Sequence, residues 1–216
     1  MSSFRVRYQT LEFDQVDIHL RTLRDRQQFS DETGEAEDLG ISSATWPLFG
    51  VVWDSGEVLA HCMFEHDIEG LRILEVGCGI GLTSLVLSHR LADITATDQH
   101  PESERFLQKN VTLNGLAPIP FVRTGWEDDD CGLGEFDLII GSDLLYERPN
   151  VELLAAFIDR HAKPQCQVII VDPGRGQQAR FSRTMKDLGY AHTRNKPSTT
   201  DYLSKPFRGE ILAYAR

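Results

Sequence analysis

Hydrophobic and polar positions alternate in a regular pattern from residue 71 to the end of the chain. Short apolar runs predict seven strands, at 71–76, 93–98, 119–123, 136–142, 166–172, 190–195 and 210–216. Amphipathic segments between most of these runs predict helices, at 82–90, 101–114, 149–162 and about 176–188. Apolar strands that alternate with helices are typical of a parallel sheet covered on both faces. The pattern therefore predicts a doubly wound α/β domain.

The first 70 residues are patterned less regularly. Partial alternation over 4–28 predicts a short strand or hairpin, and the acidic, turn-rich stretch 30–40 predicts an exposed loop. Helical spacing of apolar residues predicts a helix within 46–66, for which Asp54 or Ser55 supplies the N-cap. We therefore expect an N-terminal extension that precedes the main domain.

Length and composition are those of one globular domain. The chain has 216 residues, of which 41% are hydrophobic and 25% are charged. The 22 lysines and arginines against 33 aspartates and glutamates give a formal net charge of -11. This charge argues against nucleic acid as the main partner, because a phosphate backbone attracts a positive surface. It is compatible with a basic partner, such as a lysine-bearing protein surface, and equally with plain solubility.

The cysteines and the N-terminus indicate a cytoplasmic protein. Cys62, Cys78, Cys131 and Cys166 have neither the spacing of metal ligands nor that of a secreted disulfide framework. The N-terminal sequence MSSFRVRYQT lacks the apolar core of a signal peptide, and no apolar run approaches the roughly 20 residues of a membrane span. The seven histidines form no metal-binding motif. We expect no metal ion and no membrane contact.

Three glycines, Gly77, Gly79 and Gly81, follow the strand at 71–76 in the stretch LEVGCGIGLT. Their G-x-G-x-G spacing differs from the G-x-G-x-x-G of dinucleotide-binding loops. Glu75 would repel a pyrophosphate and suits a cationic ligand such as S-adenosylmethionine, which has an ammonium, a sulfonium and no phosphate. Asp98 ends the next strand, where a carboxylate accepts hydrogen bonds from ribose hydroxyls. The alternative is a structural strand-to-helix turn with two incidental acidic residues.

Longer stretches resemble a known enzyme family. Residues 74–115, LEVGCGIGLTSLVLSHRLADITATDQHPESERFLQKNVTLNG, are similar to the motif I to motif II region of seven-β-strand S-adenosylmethionine-dependent methyltransferases. GVVWDSGEVLA at 50–60, RTGWED at 123–128 and SDLLYE at 142–147 resemble the branch that contains many protein-lysine methyltransferases and nicotinamide N-methyltransferase-like proteins. The likeness covers roughly 46–175. It implies a mostly parallel, seven-stranded, Rossmann-like sheet with an antiparallel last strand.

The resemblance also implies which residues contact S-adenosylmethionine. These cofactor-binding residues are Trp53, Glu75, Gly77, Cys78, Gly79, Asp98, Gln99, Trp126 and Ser142. Cys78 would offer backbone contacts only, between two glycines that let the backbone approach the methionine portion. Trp53 would pack near the methionine end and Trp126 would stack on adenine. The alternatives are a core tryptophan at the first position and a partly exposed loop tryptophan at the second, and His100 is expected at the surface.

Asp143 and Tyr146 of the D-x-x-Y signature are the catalytic residues that the resemblance implies. Asp143 would hold and orient an incoming amine, while Tyr146 would contribute its ring or its hydroxyl. The alternative is that Asp143 caps the following helix and Tyr146 packs beneath it. Further along, Asp172 is expected to make a turn with the next two residues. Arg175 is expected to contact a substrate carboxylate or an acidic surface.

Together these features predict a monomeric S-adenosylmethionine-dependent N-methyltransferase that acts on lysine side chains of a protein. We divide the chain into an N-terminal extension that forms the substrate-side rim, 1–45, and a methyltransferase domain, 46–216. The alternatives are a small-molecule amine or heterocycle as acceptor, an NAD-linked oxidoreductase, and a cofactor-binding module without catalysis. Glu75 and the glycine spacing argue against the oxidoreductase, and Asp143 with Tyr146 argues against the module.

Overall fold

A computed structural model describes residues 4–128, 132–146 and 148–216. Its strands are β1 (Val6–Phe13), β2 (Val16–Leu23), β3 (Arg72–Val76), β4 (Asp93–Asp98), β5 (Phe121–Arg123), β6 (Phe136–Ser142), β7 (Ala162–Asp172), β8 (Ala191–Asn195) and β9 (Glu210–Ala215). Its helices are α1 (Glu35–Asp38), α2 (Asp54–Glu65), α3 (Leu82–His89), α4 (Ser103–Leu113), α5 (Arg148–His161) and α6 (Gln178–Asp187), with a 3₁₀ helix at Trp46–Gly50. Glu147 of the SDLLYE stretch and Cys131 lie outside the described residues.

The main sheet contains seven strands in the order β5-β4-β3-β6-β7-β9-β8. Neighbouring strands from β5 to β7 are parallel, whereas β9 runs antiparallel to both β7 and β8. The predicted doubly wound, Rossmann-like sheet with an antiparallel last strand is therefore confirmed. Because β3, β4, β6 and β7 are parallel, their carboxyl ends lie at one edge, where ligands bind in such sheets.

Successive residues of the central strands belong alternately to two hydrophobic cores, one on each face of the sheet. Ile73 of β3 joins the core that contains α2, α3, α4 and the hairpin, while Leu74 joins the core of α5 and α6. The alternation of strand side chains explains this division, and burial on both faces explains why the strands are almost continuously apolar. Glu75 follows the parity of Ile73 and so points toward the helix that comes after the glycines.

The hairpin of β1 and β2 packs on the first of these cores. Phe13, Ile18 and Leu20 are fully buried there. The backbone of β2 is tied to α4 by two asparagine side chains: Asn110 Oδ1 accepts a hydrogen bond from Arg21 N at 2.7 Å, and Asn114 Oδ1 accepts one from His19 N at 2.8 Å. These bonds satisfy polar groups that an edge strand otherwise leaves open.

The prediction of an exposed loop over 30–40 is wrong for α1. Ala36 is fully buried, and the Asp31 carboxylate accepts hydrogen bonds from the backbone N–H groups of Ala36 and Glu37 at 3.1 and 2.9 Å. An acidic side chain from three residues before the N-cap, Gly34, thus satisfies first-turn donors of the helix. Part of the acidic composition is therefore structural.

Two boundaries also differ from the sequence pattern. Trp53 occupies the N-cap position of α2 and no side chain caps the helix, so the predicted caps Asp54 and Ser55 lie inside its first turn. β7 begins at Ala162 rather than at 166, because Ala162 pairs with Phe136 across a register irregularity. Such a bulge extends a strand through residues that lack a regular apolar pattern.

Candidate functional site

The glycine loop, Gly77–Gly81, joins β3 to α3 in a conformation that favours glycine. The φ angles of Gly77, Gly79 and Gly81 are 64°, 55° and 81°, in the left-handed region. A Cβ on Gly79 would stand 2.8 Å from the Phe49 carbonyl oxygen, and one on Gly77 would stand 2.6 Å from Leu144 Cδ2. Backbone and side chains thus press on the loop, and no larger residue fits without a shift.

Glu75 is a buried carboxylate at the start of α3, with only 4% of its surface exposed. Its Oε2 accepts hydrogen bonds from Ser84 N at 2.9 Å and from the Ser84 hydroxyl. The helix dipole favours a negative group at this position. Burial nevertheless raises the pKa of Glu75 to about 7, because these hydrogen bonds offset only part of the desolvation.

Asp98, at the end of β4, holds the glycine loop from the other side. Its Oδ2 accepts a hydrogen bond from Gly79 N and its Oδ1 accepts one from His100 N, both at 2.8 Å. Burial raises the pKa of Asp98 as well. An ionised carboxylate has about four lone-pair positions, so oxygens engaged in two hydrogen bonds keep acceptor capacity for a ligand.

Cys78 and Gln99 complete the surroundings of these two carboxylates. Cys78 is buried, its N–H donates to the Thr97 carbonyl at 2.9 Å, and burial raises the pKa of its thiol well above the ordinary value. Gln99 is exposed, and its Oε1 lies 3.9 Å from the position that a Cβ would take on Gly125. The thiol thus stays protonated and contributes through its backbone.

The 3₁₀ helix packs directly over the glycine loop, a contact that the sequence did not indicate. The Phe49 ring stacks on His100 with centroids 3.8 Å apart, and Trp46, fully buried, meets both rings edge-on. The prediction of a surface position for His100 is wrong, because only 5% of this residue is exposed. Burial lowers the pKa of His100 to about 3, so the ring is neutral at physiological pH.

Trp126 lies in a loop that follows β5. The loop is held by Asp128, whose Oδ2 accepts hydrogen bonds from Gly125 N at 2.7 Å and from the Thr124 hydroxyl at 3.0 Å. Trp126 is half-buried and packs against the second core. Both the prediction of adenine stacking and the loop alternative are compatible with this position.

Asp143 immediately follows β6 and forms a bidentate ion pair with Arg175. Arg175 Nε donates to Asp143 Oδ1 and Arg175 Nη2 donates to Asp143 Oδ2, both at 2.8 Å. These hydrogen bonds raise the pKa of Arg175. Asp143 has a φ of 55°, an uncommon conformation for a residue other than glycine. Tyr146 is 49% exposed three residues later.

The turn after β7 carries Arg175 and is built on Asp172, as the sequence predicts. The Asp172 Oδ1 accepts hydrogen bonds from Gly174 N at 2.7 Å and from Arg175 N at 3.1 Å, and Asp172 is fully buried. The residues Asp143 and Arg175 meet because β6 and β7 are neighbours in the sheet. The sequence singled out both residues but gave no sign of this pairing, since strand order was unknown.

A cavity of about 600 Å³ adjoins this ion pair. We call it the arginine cavity, because four arginines line it together with residues from the start of α2 and the turn after β7: Arg7, Arg24, Asp25, Arg26, Val51, Val52, Trp53, Asp54, Ser55, Asp143, Pro173, Gly174 and Arg175. Trp53 Nε1 donates to the Leu48 carbonyl at 2.9 Å, and the Arg26 guanidinium lies 4.9 Å from the Trp53 ring centre. Ser142 Oγ lies 3.5 Å from the position of a Cβ on Gly56, close to this end of α2.

The predicted site residues therefore fall into three groups. The first group is the glycine loop and its two carboxylates: Gly77, Cys78 and Gly79 belong to the loop, and Glu75 and Asp98 flank it. Trp53 and Asp143 line the arginine cavity, and Ser142 precedes Asp143 directly. Trp126 and Gln99 lie around Gly125, and Tyr146 is not among the residues that line the cavity.

The residues around the glycine loop fit a cationic nucleoside ligand better than a dinucleotide. The hydrogen bonds that Glu75 and Asp98 accept come from backbone N–H and hydroxyl groups rather than from lysine or arginine. These two carboxylates, one buried and one half-buried, would repel a pyrophosphate. In the part of the chain that the structure describes, no group of three His, Cys, Asp or Glu residues is placed to hold a metal ion, and no helix is long and apolar enough to cross a membrane.

Comparison with known proteins agrees with this geometry. Over 117 residues the chain is 35% identical to the protein N-lysine methyltransferase METTL21A of Danio rerio, a match that covers 48% of this chain and 52% of that protein. Over 150 residues it is 27% identical to the calmodulin-lysine N-methyltransferase of Arabidopsis thaliana, covering 63% and 49%. The chain thus spans about half the length of these relatives.

The fold agrees with a solved structure as well. The magnesium protoporphyrin IX methyltransferase of Synechocystis, crystallised with bound S-adenosylmethionine, superposes with a TM-score of 0.59 at 18% identity and covers 89% of this chain and 88% of that one. A family model described as lysine methyltransferase matches residues 37–187, which include the glycine loop, Asp143 and Arg175. The chain belongs to the lysine methyltransferase family.

Proposed function

We propose that the protein transfers a methyl group from S-adenosylmethionine to the side-chain amine of a lysine in a protein substrate. The observation that carries the proposal is the pair of carboxylates, buried Glu75 and half-buried Asp98, on either side of a glycine loop that accepts no Cβ at Gly77 or Gly79 without a shift. Such a setting favours a ligand that brings positive charge and a ribose but no phosphate. S-adenosylmethionine supplies the methyl group and the sulfur leaving group.

The cofactor-binding residues of the proposal divide by chemistry. Glu75 faces the positive charge of the methionine portion, Asp98 accepts from the ribose hydroxyls, and Gly77, Cys78 and Gly79 offer the backbone alone. Gln99 and Trp126 border the adenine, for which the half-buried ring of Trp126 provides a stacking surface. Trp53 lines the arginine cavity and Ser142 directly precedes Asp143, and we assign both to the methionine end of the cofactor.

Asp143 receives the substrate amine in this proposal. Its two oxygens are fixed by Arg175 at 2.8 Å and still have lone pairs for an ammonium group. A lysine ammonium has an ordinary pKa of about 10.4, and desolvation at the site favours its neutral, nucleophilic form. Asp143 orients the amine and the proton leaves to water, while Tyr146 forms an aromatic wall at the exposed end.

The proposal extends to the partner and the compartment. The names of the relatives, which act on lysine in proteins including calmodulin, support a protein acceptor over a small amine. The free cysteines Cys62, Cys78 and Cys166 support a reducing, cytoplasmic environment. We propose a monomer whose residues 1–45 form the substrate-side rim, without a nucleic-acid or membrane partner, consistent with the net charge of -11.

The test is incubation of the purified protein with cell extract and S-adenosylmethionine labelled at the methyl group. Labelled protein is then separated from labelled small molecules. We expect label in protein, on lysine. Asp143→Asn should lose at least about 90% of this label, because the neutral amide attracts an ammonium poorly. Asp187→Asn, at an exposed position of α6, is the matched control and should keep it.

Binding of S-adenosylhomocysteine, measured by thermal shift, separates the two halves of the proposal. Wild type and Asp143→Asn should both be stabilised, whereas NAD should stabilise neither. If label were found only in small molecules, the acceptor would be a small amine or heterocycle and the lysine proposal would be wrong. A stabilisation by NAD alone would exclude the proposed cofactor.

A further inference from the structure

The arginine cavity carries more positive charge than a lysine acceptor requires. Arg7, Arg24 and Arg26 line it, although the whole chain has a net charge of -11. None of these three arginines forms an ion pair within the described residues: Arg7 donates to the Thr22 hydroxyl at 3.4 Å and Arg26 lies over Trp53. The positive charge is therefore available to a ligand.

The acidic residues of the cavity are already engaged or face a helix start. Asp143 is paired with Arg175, and Asp25 Oδ2 lies 3.9 Å from Arg5 Nη2. Asp54 is the first residue of α2, where a carboxylate is favoured by the helix dipole. They do not cancel the charge of the three unpaired arginines.

The hairpin explains how these arginines come to one place. Cross-strand partners in an antiparallel pair lie on the same face, and so do alternate residues of one strand. Arg7 pairs with Thr22, and Arg24 N donates to the Arg5 carbonyl two pairs further along, on the same face. The face that buries Ile18 and Leu20 at one end of the hairpin thus presents arginines at the other end.

The first turn of α2 lines the cavity at Asp54 and Ser55. No side chain caps this turn, so its N–H groups stay open to hydrogen bonds with a ligand oxygen, although the turn also carries two acidic residues, Asp54 and Glu57. Ser55 lies in this turn, only 1% of it is exposed, and its hydroxyl is buried without a hydrogen-bond partner among the described residues. A buried hydroxyl without a partner is costly, so a ligand oxygen at this point would remove that cost.

We propose that the arginine cavity binds carboxylate side chains of the protein substrate, so that the lysine selected for methylation lies in an acidic segment. This inference rests on the proposed function and names its substrate class. The amine is directed to Asp143, while aspartates or glutamates near the lysine pair with Arg7, Arg24 and Arg26. Nucleic acid is the other anionic occupant that the test distinguishes, and the net charge of -11 disfavours its extended phosphate backbone more than a short acidic segment.

The experiment measures binding of two fluorescent peptides to the full chain at low and at physiological ionic strength. Both peptides contain one central lysine, flanked in one by glutamates and in the other by glutamines. We expect the acidic peptide to bind about tenfold more tightly, with a difference that shrinks as salt screens the charges. Equal affinity for the two peptides, or binding of neither, would overturn the inference.

Arg7→Glu with Arg24→Glu should abolish the preference for the acidic peptide. The matched control is Lys109→Glu with Arg183→Glu, two exposed residues that do not line the cavity. Each double variant changes two positive residues to negative ones and so moves the net charge from -11 to -15. If the control loses the preference equally, overall charge is the cause and the cavity is not.

Two further arms keep the inference separate from the proposed function. In the first arm, an oligodeoxythymidine replaces the peptide. If it bound as tightly as the acidic peptide, and if Arg7→Glu with Arg24→Glu abolished this binding, the cavity would be a phosphate site and the inference would be overturned. Binding does not require methyl transfer, so charge-dependent binding without any labelled lysine would count against the proposed function alone. Equal methylation of both peptides with equal affinity would count against the inference alone.

Discussion

The glycine loop and the arginine cavity lie at the same edge of the sheet, yet they differ in burial, in charge and in the segments that form them. The loop lies against Phe49 and Leu144 and is flanked by the buried carboxylate of Glu75 and the half-buried one of Asp98. The cavity is open, is lined by four arginines, and draws on the hairpin, α2 and the turn after β7. We expect the first to bind a small ligand and the second to bind part of a larger molecule.

The difference also concerns how each part is held in shape. Glu75, Asp98 and the glycines are fixed by hydrogen bonds to backbone groups within about 25 residues of one another. The Asp143–Arg175 pair is fixed through a turn that Asp172 organises from another strand. We expect mutations in the loop to reduce cofactor binding and those at the pair to reduce the rate.

Replacement of Gly79 by alanine should have the largest effect. The new Cβ would stand 2.8 Å from a backbone oxygen at a φ of 55°, so the loop must move away from its ligand-binding position. We expect affinity for S-adenosylhomocysteine, measured by calorimetry, to fall by about 100-fold, equivalent to about 2.8 kcal/mol.

Gly115→Ala is the matched control, because Gly115 has a similar φ of 63° but nothing lies within 4 Å of its Cβ position. It should lose about 1–2 kcal/mol of unfolding free energy through left-handed strain and keep the cofactor affinity. Equal loss of affinity in both variants would show that strain alone, and not loop position, controls binding.

Arg175→Met should lower kcat by about 30-fold and leave S-adenosylhomocysteine affinity unchanged. Methionine fills similar space but cannot fix the two oxygens of Asp143, and a misplaced orienting group costs rate. Arg175→Lys should recover only part of the rate, because an ammonium does not form the same bidentate pair.

Arg180→Met removes a comparable ion pair, with Glu152, in which both side chains are 48% exposed. Exposed pairs contribute little, so this control should behave as wild type. A weaker cofactor affinity in Arg175→Met, with kcat preserved, would contradict the assignment of the pair to the acceptor side.

The affinity for S-adenosylmethionine should rise about tenfold from about pH 6 to about pH 8. Because the pKa of Glu75 is raised from 4.5 to about 7, the folded protein without ligand binds this proton more tightly than the unfolded chain. Its contribution to stability therefore falls as pH rises from about 4.5 to about 7. A cationic ligand favours the ionised carboxylate, so affinity rises with pH below about 7 and levels off above it.

Glu75→Gln should bind with a flat profile over this pH range, as measured by calorimetry. The amide keeps the shape of the side chain but has no proton to lose. An equally steep profile in the variant would assign the titration to another group.

The sheet and the glycine loop could be predicted because their signals are local. An apolar run, three glycines and the acidic residues Glu75 and Asp98 lie within about 25 residues, and each indicates structure through its neighbours along the chain. Seven strands were expected and seven form the main sheet. The roles assigned to individual site residues stay predictions.

The remaining features depend on contacts between distant parts of the chain. Phe49 and His100 are 51 positions apart, and their stacking follows from the fold and not from either local sequence. The pairing of Asp143 with Arg175 requires that β6 and β7 be adjacent, which periodicity does not reveal. The arginines of the hairpin appeared in the sequence only as part of a partly alternating strand.

The left-handed backbone at Asp143 has a consequence for engineering. A glycine at a φ of 55° would be relaxed, whereas an aspartate there retains about 1–2 kcal/mol of conformational strain. Asp143→Gly would relieve this strain but would also leave Arg175 without its partner and loosen the unfolded chain. The uncommon backbone at this position is therefore tolerated together with the carboxylate that Arg175 holds, and a stabilising search at this position has little to gain.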